Sequence, residues 1–155
     1  MIPKADEALG FLSRGLMTTV FAEPHSAYTI SEVSLMTLLL NAIGQEYNNG
    51  AEVRVRDIEE MQQLFKDAAS KVSDSDLARR LTTNLSERPV SLEISELNVI
   101  HDRCSLLLID LHAYVEEQSS AEDSAGPGSW ADNCNSNIWD FLERQAERHK
   151  IDTPI

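Results

Sequence analysis

The sequence predicts an all-α fold, an up-and-down helical bundle built on two long helices with shorter helices packed around them. Three observations predict it. Apolar residues Met36, Leu40, Ile43, Tyr47, Ala51, Val55, Ile58, Met61, Phe65, Ala68 and Val72 advance 36 positions in ten steps, which is the repeat of an α-helix. A second apolar run from Ser95 to about Gln118 is nearly continuous at Leu106 to Ile109, as suits a helix central to a bundle. Helix-start signals precede the apolar runs, and only one short stretch alternates in the manner of a strand.

Taken in order, Pro3 suits the first position of a helix whose apolar face is Ala5, Leu9, Leu12, Leu16 and Val20. Gly10 and Gly15 are places where a neighbouring helix can approach. A connector, 22–28, carries Pro24. The long helix then opens at Thr29, with Glu32 completing a capping box and Tyr28 and Val33 at staple positions. Asn48, Asn49 and Gly50 read locally as a turn, and cost a helix about 2 kcal/mol against alanine. Two separate helices would have no reason to keep phase across them, whereas Tyr47, Ala51 and Val55 do. One helix, bent at Gly50, is the expectation. It would be about 60 Å long at ~1.5 Å per residue, against a radius of gyration of about 15 Å for a compact domain of this size. A second copy covering the overhang, hence a homodimer, follows as an expectation.

Beyond Val72, Ser73 is the expected cap of a short helix carrying Leu77, Leu81 and Leu85. Val90, Leu92 and Ile94 then alternate with polar residues, as an ordered linker packed against helices would. Ser95 starts the second long helix, since Ile94 and Val99 occupy both staple positions. Ser119 to Asn133 reads as a mobile loop with Trp130 folded back onto the core. The last helix, capped by Asn135, carries Ile138, Trp139, Phe141 and Leu142, with Asp140 and Arg144 a favourable pair. Its end, Glu143 to Lys150, is charged and expected to be exposed. The 155 residues fit one domain.

Acidic residues number 26 and basic residues 13, for a net charge of −13. That balance argues against nucleic-acid or anionic-membrane surfaces, because phosphate contacts need clustered Lys and Arg. It leaves open a basic protein partner. No run approaches the ~20 apolar residues of a membrane span, and the N-terminal residues lack the basic start and apolar core of a signal peptide. A cytoplasmic location, with no membrane partner, is expected. Cys104 and Cys134 are too few for a disulfide framework or zinc site; Cys104, among apolar neighbours, is expected to be a buried packing group.

Phosphate loops, dinucleotide fingerprints, H-E-x-x-H, C-x-x-C and G-x-S-x-G are all absent, as is the Glu-x-x-His of di-iron bundles. What remains are polar groups at helical spacing. His101 and His112 share a face three turns apart, Glu116 lies one turn beyond His112, and Asp110 two residues before it. His112 and Glu116 could serve as acid and base or contribute to metal coordination, although two residues fall short of the three ligands of a catalytic zinc. Arg54 extends the apolar stripe of the long helix and needs a carboxylate partner such as Asp110 or Glu116. Accordingly no metal set and no cofactor is assigned, and His25 and His149 receive no role.

An interaction or regulatory module acting by self-association is the leading functional expectation. The alternatives are a small-molecule or metal-binding bundle, possibly enzymatic, centred on His112, Glu116 and Arg54, and an acidic inhibitor masking a basic surface. The binding site requires those three to converge on a pocket. Association requires an exposed apolar patch.

Overall fold

The computed structural model describes residues 4–20, 26–121 and 129–151. Among them are five helices and no strand: α1 (Ala5–Val20), α2 (Ala27–Ala69), α3 (Ser75–Asn84), α4 (Ile94–Ala121) and α5 (Trp130–Arg148). Pro3, Pro24, His25 and 122–128 of the expected loop lie outside the described residues. The chain divides into two compact units, Met1–Gly50 with Lys150–Ile155, and Ala51–His149.

α2 passes through Asn48, Asn49 and Gly50 without interruption. The unbroken apolar phase on either side of these residues accompanies a helix that tolerates their poor propensity. It starts earlier than the capping box implies. Ser26, not Thr29, is the cap: its Oγ accepts from the Thr29 backbone N–H at 3.2 Å, and its carbonyl accepts from Ile30.

In the first unit, α1 and the first half of α2 meet where Gly44 faces Leu9. A β-carbon built on Gly44 would lie 3.7 Å from that of Leu9. The close approach is therefore at Gly44, whereas Gly15 has open space around it. Gly15→Ala should raise stability by about 0.5–1 kcal/mol, because alanine loses less backbone entropy in a helix and nothing obstructs its methyl; thermal melting checks this. Little is hidden in this unit. Among its described residues Val33 is the only buried large apolar side chain, with the polar Ser13 and Thr37 beside it in burial class.

The second unit is a helical bundle with a continuous core. Ile58, Met61, Phe65 and Ala68 of α2 pack with Leu77 and Leu81 of α3, with Leu97, Ile100, Cys104, Leu107, Leu108, Leu111 and Val115 of α4, and with Ala131, Ile138 and Phe141 of α5. The sets recur mostly at three-, four- or seven-residue steps, with Leu107 and Leu108 adjacent, so each helix turns one stripe inward. The short helix is capped by Asp74 instead of Ser73: its Oδ1 accepts from the N–H groups of Asp76 and Leu77 at 2.8 and 2.9 Å. Ser73 is used elsewhere, binding the Tyr114 hydroxyl at 2.7 Å. Buried Gln62 donates to the carbonyls of Asn84 and Glu87 and accepts from Arg88, closing the end of α3 against α2.

Several expectations change here. The linker does not pack against helices, since Val90 is 96% and Leu92 68% exposed. α4 is not buried all round: Leu107 and Leu108 face the core, but Val99, Leu106 and Ile109 form an exposed row. Trp130 does not lie in a loop; it opens α5, capped by Ser129, whose Oγ accepts from the Asp132 N–H at 3.1 Å. Arg144 reaches Glu60 of α2 at 3.0 Å. Finally, α2 is long and apolar enough, by length and composition, to cross a membrane, and little of its apolar stretch is buried. The count of consecutive apolar residues overlooks this because polar residues such as Thr29, Ser31 and Glu32 interrupt the run.

Candidate functional site

Among the described residues, a polar cluster in the second unit surrounds Asp57. On α2 this residue precedes Ile58 and Met61 on the inward stripe, and its side chain is wholly buried. On α4, His101 follows Ile100 at the edge of the core. On α5 the inward stripe runs Ile138, Phe141, Gln145, Arg148, in steps of three and four, so its last two members bring polar heads into the bundle. His149 then caps the helix end, its N–H bonded to the Gln145 carbonyl at 3.0 Å.

Five nitrogen atoms converge on the Asp57 carboxylate, four of them in hydrogen bonds. Arg148 donates to Oδ1 through Nε at 2.9 Å, and its Nη2 lies 2.7 Å from the same oxygen as an ion-pair contact without hydrogen-bond geometry. Oδ2 is approached by His149 Nε2 at 2.7 Å, Gln145 Nε2 at 3.2 Å and His101 Nε2 at 3.4 Å. Glu60 extends the network, accepting from Arg148 Nη1 at 2.7 Å and from Arg144 Nε at 3.1 Å. Burial works to raise the pKa of Asp57, but the hydrogen bonds from His101, His149, Gln145 and Arg148 outweigh it and hold the carboxyl well below the usual carboxylate range. A carboxylate so fully engaged is a poor general base. It ties three helices together, and with the two imidazoles it presents a three-ligand set.

The residues singled out from the sequence are dispersed. His112 Nε2 lies 3.0 Å from Asn135 Oδ1 and 3.5 Å from Glu116, with its ring edge-on to Trp139. Arg54 donates to Asn98 Oδ1 at 2.5 Å. Asn98 precedes His112 by fourteen residues, about 21 Å along α4 at ~1.5 Å per residue. Asp110 is paired with Arg80 of α3. Only His101 joins the Asp57 cluster, and His149, Arg148 and Gln145 were missed because the charged composition of 143–150 concealed the inward stripe. The steps from Ile138 to Arg148 were the available signal. A groove between α2 and the end of α3, lined by Val55, Ile58, Gln62, Leu85, Arg88 and Pro89 among others, takes in none of His112, Glu116 and Arg54.

Both cysteines are free. Burial raises the Cys104 thiol, against the effect of its contact with Asn84, and burial likewise raises that of Cys134. Neither is activated as a nucleophile. Comparison with protein-family models, with curated proteins and with solved structures finds no match to this chain.

Proposed function

We propose that the protein is an association module, and that the face presented by α1 and the first half of α2 is covered by the same face of a second copy. The observation that carries this reading is the poverty of the core in the first unit beside the apolar surface it leaves open. Tyr28, Leu35, Met36, Leu39, Ile43 and Tyr47 are exposed, Tyr28 at 72% and Ile43 at 54%. At ~100° per residue the six occupy an arc of about 120° on α2, away from the face holding Val33, Thr37 and Gly44. Phe11, Leu12 and Met17 add exposed apolar surface from α1.

Area favours a full-sized interface. For side chains of this size the six contribute on the order of 700 Å², close to the ~800 Å² each partner supplies in a stable complex. Two helices from each copy would form a four-helix core in which each apolar stripe is covered by its neighbours. Charge favours protein over lipid. From Ala27 to Val53 there is no Lys or Arg, while Glu32 and Glu46 fall within the arc. Carboxylates are costly in a bilayer, and basic anchors for anionic headgroups are lacking.

Light scattering on the eluting protein is expected to give twice the 17.3 kDa chain mass at micromolar concentration. The double variant Leu39→Glu, Ile43→Glu should elute as a monomer with unchanged helix content. A monomeric wild-type chain overturns the proposal, as does flotation of the wild-type chain with phosphatidylcholine vesicles.

A further inference from the structure

We propose that Asp57, His101 and His149 form a binding site for one divalent transition-metal ion of the zinc, cobalt or nickel type. Their ligand atoms all lie within 4.8 Å of one another. Both imidazoles aim Nε2 at the same carboxylate oxygen, at 2.7 and 3.4 Å. Ligand atoms bound at ~2.0–2.1 Å around a tetrahedral or octahedral ion stand about 2.8–3.4 Å apart, so closing on a metal needs only small shifts of these side chains.

The hydrogen-bonding of Oδ2 points the same way. Three N–H groups crowd one oxygen that offers two lone-pair directions, and the longest of the three contacts is that of His101. A cation placed among the three groups accepts lone pairs from two neutral imidazoles and from Oδ2, replacing two competing N–H contacts by coordination bonds. The surroundings already have the form of an outer shell. Arg148 holds Oδ1 by one hydrogen bond and an ion-pair contact, Glu60 holds Arg148, and Arg144 holds Glu60, so the carboxylate is oriented before any ion arrives.

His149, with its side chain 44% exposed, gives the ion a path from solvent and leaves room for water as a further ligand. Two imidazoles and one carboxylate with an open position are the donor set of hydrolytic zinc and of other nitrogen-favouring divalent ions, and unlike that of calcium. Arg148 opposes the added positive charge and Glu60 offsets it.

Chelator-treated full-length protein should be titrated with Co²⁺. The expected result is one ion per chain, visible ligand-field bands and a melting temperature raised by several degrees, with Zn²⁺ displacing Co²⁺. His101→Ala and His149→Ala should each weaken binding at least tenfold, whereas His112→Ala, which removes the other described histidine of α4, should leave the titration unchanged. His149 lies at a helix end, so His149→Gln supplies a folded variant should the alanine form prove unstable. Absence of bands at millimolar Co²⁺, or binding that survives loss of both His101 and His149, overturns the assignment.

Discussion

Asp57→Ala is expected to lower the unfolding free energy by about 3–5 kcal/mol, the usual loss when one partner of a buried ion pair is removed. The cost lies in what stays behind. Arg148 keeps Glu60, but Nε of its guanidinium and the N–H groups of Gln145 and the two histidines lose a common acceptor, and Nη2 loses its ion-pair partner. Urea denaturation of chelator-treated protein measures it. Asp57→Asn, which keeps the shape and one acceptor oxygen, should lose less, and a loss below about 1 kcal/mol for the alanine variant would contradict the role given to the cluster. Acid should act through the same group. Its carboxyl titrates lower in the folded chain than the ~3.9 of an unfolded aspartate, so its contribution is complete above about pH 4 and is lost as pH falls below that value. In Asp57→Asn the acid limb of the stability curve should therefore be shallower than in wild type. His101, His149, Gln145, Arg148 and Glu60 remain in place in both proteins, which isolates the aspartate.

Phe65→Ala should cost about 3–5 kcal/mol, a magnitude typical of deleting a buried aromatic ring. The ring of Phe65 is fully enclosed by a core drawn from α2, α3, α4 and α5, so its removal leaves a cavity the surrounding helices can only partly close. Phe11 provides the contrast. It is exposed in the first unit, and Phe11→Ala should change the stability of the isolated chain by no more than about 0.5 kcal/mol. The same change should weaken self-association if the α1 and α2 face is the contact surface. Denaturation curves and light scattering on the two variants separate core from surface.

The helices were largely legible because their cause is local. An apolar step of 3.6 survives through Asn48, Asn49 and Gly50, and α2 is continuous there. Caps were read less well. Ser26, Asp74 and Ser129 each took a backbone N–H from two or three residues downstream, displacing Thr29, Ser73 and Asn135, because several Ser, Thr, Asp and Asn side chains compete near every helix start and tertiary packing selects among them. Burial was misjudged where apolar content exceeded what neighbours could cover, as at Leu106 and Ile109.

Amino-acid order by itself determined the helical class, the long helix α2 and the apolar part of the inward stripes, since periodicity and propensity act within a few residues. Only the tertiary structure decided which polar groups meet. His101 and His149 lie 44 and 92 residues beyond Asp57 along the chain, and their convergence depends on how α2, α4 and α5 pack around a shared core. Packing is a property of facing surfaces, and no local pattern in any one helix carries the identity of its neighbour.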